Sequence, residues 1–473
     1  MSASRIIFKN FTSLMGAQIV SFVLGFFAVI YLARVLDADG FGKINFAMAV
    51  VVYFTLLTDL GLPMFGIREV ARDRANVRKY VGDILTLRML FAVGAFLLVL
   101  ALAFLLNKPQ EIKLLIVLYG LGLLPSALLV EWAFQGVEKM EYIGLSRALA
   151  AATYTGLVLG IVRGPEDILL VPIFHVCATV LSVVLLMSIF IRKYGPPTLR
   201  FPRESLRYIV LSALPIGLAG MLVQAIYYMD TVMLGFMRTV FEVGYYSAAY
   251  KIIFLLIGVV GIYFNSVFPP LCSYYKTSLD AFRELMSHSV RLMMVLAWPL
   301  AVGITILAAP IMSLIYGVGY ENGVIALQIL IWSMALICIN TPYAWGLWAS
   351  DRQNRYLRVV SIQTVGNFIL NLLMIPPLGL VGASLATVAA ELIGIPLYYR
   401  ELKKVVHVPL LGHAMRPLIA SVPMGLALYM GVRMGLNVLL LAGVGVVVYF
   451  VVLYLVRGIT EEDKRLILSL IGR

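Results

Sequence analysis

The chain has 473 residues, 62% of them hydrophobic and only 13% charged, with a mean hydropathy of +0.97. Too few polar residues are present for a water-soluble enzyme of this size, and far too many apolar ones for a disordered chain. A net charge of +13, from 37 Lys and Arg against 24 Asp and Glu, would point to nucleic acid in a soluble protein. Here the cations cluster between apolar runs, the pattern of cytoplasmic loops facing anionic lipid, so nucleic acid is not an expected partner.

In chain order, Arg5 and Lys9 precede an apolar run at 11–32 that is too long for a secretory leader and lacks a small-residue cleavage site, so it is predicted as an uncleaved first span. Spans are predicted next at 44–67, 89–106, 114–134, 148–162 and 168–191. A Pro- and Arg-rich stretch separates these six from six more at 208–237, 245–268, 292–315, 324–348, 359–375 and 380–399. Two further spans, 414–432 and 436–456, bring the total to about fourteen, the ceiling that composition allows at about 20 residues per span. The expected fold is an all-α polytopic membrane protein with lobes at 1–200 and 201–405, then two extra helices and a cytoplasmic tail at 406–473. The segment from Arg68 to Arg88 reads as a helix along the cytoplasmic surface, with Val70, Val77, Val81 and Leu85 facing lipid. Cys177, Cys272 and Cys338 have no metal-ligand spacing and read as small core residues.

Alternate loops differ in charge, which fixes orientation. Roughly 29 Lys and Arg fall in one set of loops and about seven in the other (Arg34, Lys43, Lys108, Lys113, Arg163, Arg238 and Arg433), with Lys251 inside a span. Both termini are therefore expected in the cytoplasm, and the protein in the cytoplasmic (inner) membrane. The outer loops are short; the longest, from Ala33 to Lys43, has about a dozen residues.

The two groups of six resemble each other. Phe41-Gly42-Lys43-Ile44-Asn45-Phe46-Ala47 opens the second span as Val243-Gly244-Tyr245-Tyr246-Ser247-Ala248-Ala249 opens the eighth. Trp132 precedes Glu138-Lys139 as Trp345 precedes Asp351-Arg352. An even number of spans per unit makes such repeats parallel, and two like bundles can enclose a cleft that opens alternately to either side.

These residues resemble a known family. Ala33-Arg34-Val35-Leu36, Phe41-Gly42, Thr58-Asp59-Leu60-Gly61-Leu62 and Gly66-Ile67-Arg68-Glu69-Val70-Ala71-Arg72 are similar to the N-terminal signature of polysaccharide repeat-unit (O-antigen type) flippases, within the multidrug, oligosaccharidyl-lipid and polysaccharide exporter superfamily. Met229-Asp230-Thr231-Val232-Met233-Leu234-Gly235, followed by the Val243–Tyr250 stretch, resembles the signature of the second lobe. The resemblance implies two six-helix lobes plus two extra helices, and export of a polyprenyl-diphosphate-linked oligosaccharide to the outer leaflet by alternating access. It also implies polysaccharide polymerase and chain-length machinery as wider partners.

Such a task is one of desolvation, because a sugar and a diphosphate must cross about 30 Å of hydrocarbon. Cations suit the diphosphate, and Lys251, deep in the eighth span, is the leading candidate. Arg147 and Arg291, opening the fifth and ninth spans, and Arg34, closing the first, could each meet it at a mouth of the cleft or act as ordinary anchors. Of the carboxylates in apolar runs, Asp59 and Asp230 are further cleft candidates, Glu131 is expected in a structural pair, and Glu391 and Asp59 are candidates for ion coupling. His175 is expected to pack between helices. Amides at Asn10, Gln18, Gln224, Asn265, Asn340, Asn367 and Asn371 could face sugar hydroxyls or hold helices together.

No cofactor is expected, and no phosphate-binding G-x-x-x-x-G-K-[ST] motif occurs, so transport is expected to draw on a proton or Na+ gradient or the membrane potential. A drug/cation antiporter of the same superfamily is the alternative, although the first span lacks the carboxylate such a site favours. A polyprenol-dependent glycosyltransferase using Asp37-Ala38-Asp39 to hold a metal is the weaker one, since Asp-Ala-Asp-Gly is ordinary turn chemistry.

Overall fold

In hydrocarbon each backbone amide must find its partner inside the protein, which a helix achieves within one segment. The computed structural model is accordingly helical, with no strand among the described residues. The backbone is described at 3–198 and 203–458; side chains are described from residue 16 onward, apart from 17, 199–206, 411, several positions in 215–225, and the segment beyond 458. Asn10 and the cations Arg5, Lys9, Arg200, Arg203, Lys464, Arg465 and Arg473 fall outside the described side chains.

The first half contains α1 (Ala3–Val35), α2 (Asp37–Asp59), α3 (Leu62–Arg72), α4 (Val77–Leu105), α5 (Gln110–Leu121), α6 (Leu123–Ala127), α7 (Glu131–Gly136), α8 (Met140–Ile161) and α9 (Leu170–Tyr194). The second contains α10 (Arg203–Met237), α11 (Val240–Thr277), α12 (Leu279–Tyr316), α13 (Val324–Ala349), α14 (Gln353–Leu378), α15 (Leu380–Lys403), α16 (Leu411–Arg433) and α17 (Val438–Leu455). Among the described residues 13 segments are long and apolar enough to cross a membrane, and each coincides with an expected span. The remaining expected span, 208–237, lies in the 35-residue helix α10.

The chain forms two compact units: Met1–Gly235 with Thr239–Gly244, and Phe236–Arg238 with Tyr245–Arg473. In the first, α1 packs along α8, α2 lies on α4 and α5, and α3 lies on α7. Helix α10 joins this unit: its Ile209 and Ala213 lie in a core with Phe65, Val81, Trp132, Phe134 and Phe190. Close backbone approach requires glycine at two places. A Cβ on Gly42 would overlap the Val240 carbonyl, and one on Gly244 would overlap that of Ala38, so the two motif glycines let the start of α11 meet α2 backbone to backbone.

Two expectations are corrected here. The Arg68–Arg88 segment is not one surface helix: it is the end of α3, a short 3-10 turn at Arg74–Asn76 and the start of α4. Val70 of α3 and Val77, Val81 and Leu85 of α4 are all buried in the core just described rather than turned to lipid, because residues of α7, α9 and α10 close over them. Likewise the outer loop between Ala33 and Lys43 is a sharp corner in which Leu36 alone separates α1 from α2. Asp37 and Asp39 stand in the first turn of α2, where carboxylates favour the exposed amides of a helix start.

In the second unit α11 and α12 have 38 residues each, about 57 Å of helix against about 30 Å of hydrocarbon, so both extend beyond the apolar layer. α13 packs on α12 and α15, α14 on α15, and α16 and α17 attach to α12 through Leu307, Ala420, Met424, Leu428, Leu441 and Tyr449.

The sequence repeat has a backbone counterpart. After Trp132 the chain turns at Glu138, with a left-handed φ of 60°; after Trp345 it turns at Asp351, with φ 57°. At the first corner the Val137, Glu138 and Lys139 amides donate to Ala133, Gln135 and Phe134 carbonyls; at the second those of Ser350, Asp351 and Arg352 donate to Gly346, Trp348 and Leu347. The two corners are the same structure built twice.

Candidate functional site

A charged side chain inside a membrane span needs a partner or a ligand, so the described partners sort the candidates. Asp59 has a partner. Its Oδ1 accepts from the Arg88 guanidinium at 2.7 Å, and Arg88 also donates to the Leu129 and Ser126 carbonyls at 2.8 and 3.0 Å. Those carbonyls lie where the fourth span breaks into α5, α6 and α7; the Ser126 carbonyl also accepts from the Leu129 amide, while Arg88 supplies the Leu129 carbonyl with the donor that an intact helix would have given it. Arg88 was expected among the cytoplasmic loop cations; its side chain is only 6% exposed.

Arg147 of α8 donates to Glu131 of α7 at 2.8 Å and to Gln18 of α1 at 3.2 Å, which joins three helices at one accessible polar cluster. Glu131 therefore sits in an ion pair. Arg34 is exposed in the last turn of α1. Asp230 of α10 is buried and lies close enough to Tyr53 of α2 to act on it electrostatically. His175 packs between Tyr119 and Tyr154, with ring centroids 6.0 Å from each, beside a cavity of about 140 Å3 that Thr55, Ser126 and Thr179 also line. Asp39 bridges to Lys43 at 2.6 Å, and Lys43 bridges in turn to Glu111 at 2.6 Å. The Asp37-Ala38-Asp39 motif thus supplies an ion pair at a helix start, and no group of three or more potential metal ligands occurs among the described residues.

Lys251 differs from these. It lies half-buried about 16 Å along α11 from the helix start, and among the described residues it makes no hydrogen bond or ion pair. One turn earlier on the same face, the buried Ser247 hydroxyl also lacks a partner. Beside them Tyr246 and Tyr250 stack with ring centroids 5.7 Å apart, and Tyr250 contacts Phe254. A cation and a hydroxyl without described partners, next to the Tyr250 ring, suit a ligand with a phosphate and a sugar.

The other polar centre of the second unit is built on α13, α14 and α15. Asn340 donates to the Glu391 carboxylate at 2.7 Å and to its backbone carbonyl at 2.9 Å, and Gln363 hydrogen-bonds the same carboxylate and the Ala390 carbonyl. Gly394, one turn beyond Glu391, leaves the room that the Gln363 amide occupies. Among the described residues Glu391 has no ion-pair partner, and the Asn340 Oδ1 acceptor is buried without a donor. Asn371 donates to Asn367 at 3.1 Å on the same α14, and both are buried. Arg291 lies elsewhere, in the N-terminal part of α12, with the His288 ring 3.1 Å away.

Fold and charge pattern together define an all-α polytopic membrane protein. The chain belongs to the polysaccharide biosynthesis protein family, which matches residues 7–275. A protein of Escherichia coli strain K12 named as an O-antigen transporter is 22% identical over 399 residues, 81% of this chain and 93% of that one. The "Probable flippase AglR" of Haloferax volcanii is 30% identical over 184 residues; that match spans 38% of either chain. Among solved structures, the lipid II flippase MurJ in an inward closed conformation shares the fold with a TM-score of 0.75 at 17% identity, covering 93% of this chain and 97% of that one. An inward-facing multidrug transporter of the MATE family shares it with a TM-score of 0.67 at 14% identity, over 81% and 95%. The expected resemblance and fold class are thereby met.

Proposed function

We propose that the protein flips a polyprenyl-diphosphate-linked oligosaccharide, a polysaccharide repeat unit, from the cytoplasmic to the outer leaflet of the inner membrane. It does so by alternating access, as a transporter with no ATPase of its own and no catalytic step. Family membership supports the substrate class, and the single observation that carries the reading is Lys251, a membrane-embedded ammonium with no described partner. A bare cation at that depth is costly, and an anionic diphosphate repays the cost while the prenyl tail stays in lipid. Half-buried Tyr250 offers a ring to a sugar, and within the first unit Arg147, with Gln18, is a further cationic candidate. Glu391, held by Asn340 and Gln363 and free of an ion pair among the described residues, is the proposed coupling carboxylate for a proton or Na+. Both termini lie in the cytoplasm in this reading.

A drug/cation antiporter is disfavoured because Asp59 and Glu131, membrane carboxylates of the first unit, are held by Arg88 and Arg147. The test is leaflet-specific labelling of a lipid-linked oligosaccharide in proteoliposomes. Wild-type protein is expected to move the label, and Lys251→Ala to slow it at unchanged protein level. Labelling at the protein-free rate with wild-type protein refutes the proposal.

A further inference from the structure

The first three turns of α12 carry Asp280, Arg283, Glu284, Ser287, His288 and Arg291 at spacings of three and four, so they share one face. After Arg291 no charged residue occurs until Glu321, so Arg291 marks the level at which α12 enters hydrocarbon. Facing this stripe is the connection from α15 to α16, with His407 and Pro409. Together they enclose an open cavity of about 310 Å3, the low end of the range for small-ligand sites.

The hydrogen bonds fix what the walls present. A guanidinium can only donate, so the Nδ1 of His288, 3.1 Å from Arg291, must accept. The neutral His288 ring then carries its proton on Nε2, as a donor. Arg283 spends its Nε on the His407 carbonyl at 3.3 Å, which orients the guanidinium along the pocket wall. Tyr399 holds the His407 ring at 3.0 Å, and Ser287 meets the ring of His413 at 3.0 Å. Three of the chain's four histidines thus gather here from two distant stretches of sequence. Charge is graded along the pocket: Arg291 and His288 are innermost, while Asp280 and Glu284 are exposed on the outer turns.

We infer that this pocket binds the headgroup of a membrane phospholipid, a phosphodiester whose tip carries hydrogen-bond donors, such as phosphoglycerol or phosphoethanolamine. Arg291, Arg283 and His288 hold the phosphodiester at the depth where lipid phosphates lie, and Asp280 and Glu284 accept from the hydroxyls or ammonium of the tip. The two carboxylates act against a free phosphate dianion, and choline, with no donor, gives them no hydrogen bond in exchange for the water it displaces. The inference rests on the topology proposed above, which puts this end of α12 in the cytoplasmic leaflet.

The test is native mass spectrometry of the purified full chain released from nanodiscs of phosphatidylglycerol, phosphatidylethanolamine or phosphatidylcholine. The first two are expected to be retained about tenfold more than phosphatidylcholine; Arg283→Gln/Arg291→Gln lowers their retention to the phosphatidylcholine level, and Arg283→Lys/Arg291→Lys largely keeps it. Asp280→Asn/Glu284→Gln is expected to remove the discrimination against choline while leaving retention itself. Equal retention of all three lipids by wild type, or unchanged preference in the Gln pair at normal elution volume, overturns the inference. Millimolar inorganic phosphate displacing the lipid overturns the lipid assignment. Impermeant thiol labelling of Lys404→Cys in a background without Cys177, Cys272 and Cys338 checks the sidedness separately. Labelling from outside refutes the topology and leaves the lipid readout intact.

Discussion

Replacing Arg88 is expected to damage the protein more than replacing its partner. The Arg88 side chain is 6% exposed and donates to three acceptors, the Asp59 carboxylate and the carbonyls of Leu129 and Ser126. Arg88→Ala takes the donor from the Leu129 carbonyl, removes one of the donors to the Ser126 carbonyl, unpairs a partly exposed carboxylate and leaves the volume of a long side chain empty. Removing the buried partner of a hydrogen-bonded ion pair costs about 3–5 kcal/mol, and the emptied volume and the orphaned Leu129 carbonyl keep this variant within that range although Asp59 is partly exposed. Asp59→Asn removes less: the carboxylate is 38% exposed, so its Coulomb term is screened, the amide oxygen can still accept, and about 1 kcal/mol is expected. A difference of about 3 kcal/mol is a factor of roughly 10² in the unfolding equilibrium, well within reach of denaturant titration in mixed micelles. In the double variant the two losses should be less than additive, because one interaction is removed twice. If Arg88→Ala is no less stable than Asp59→Asn, the guanidinium is not holding the broken span together, and the structural reading of this pair is wrong.

Lys251→Ala is expected to lower oligosaccharide flux at least tenfold and Lys251→Arg to retain most of it, at equal thermal stability; equal flux for the Ala variant removes Lys251 from the pathway. Glu391→Gln should abolish the acceleration of flux by an imposed proton or Na+ gradient while preserving downhill exchange, and a variant still driven by both gradients excludes this carboxylate as the coupling group. Gly394→Ala, whose new methyl would collide with the Gln363 amide, should weaken the same gradient response without any change of charge, read in the same proteoliposomes. Gly42→Ala places a methyl against the Val240 carbonyl, and overpacking of this kind costs about 1–3 kcal/mol, so a lower melting midpoint is expected; an unchanged midpoint means that the helices part without strain.

The order and extent of the spans could be read from the sequence, because a helix crossing hydrocarbon is required to be apolar along its whole length and loops concentrate cations. The duplicated corner at Glu138 and Asp351 was readable for a related reason: the Trp and the acidic-basic pair sit at equal spacing in both halves. Arg88 was misplaced because a hydropathy window registers a charge near a span edge without its partner, and Asp59 and Leu129 lie 29 and 41 positions away. The burial of Val70, Val77, Val81 and Leu85 was hidden by the same locality: amphipathic spacing says that a face is covered, and only α7 and α10, arriving from far along the chain, decide that protein covers it. His288, His407 and His413 carry no motif at all, and the pocket they share exists only once α12 meets the α15–α16 connection.

The two halves repeat each other's turns but not the spans that lead into them. The fourth span is jointed, with α5, α6 and α7 pinned at the break by a single guanidinium, whereas its counterpart α13 is one continuous 26-residue helix with Pro342 inside it. The first half therefore has a joint made by interrupting the helix, whereas the second keeps its helix continuous and has only Pro342 as a place to bend, so two like turns are served by two different hinges.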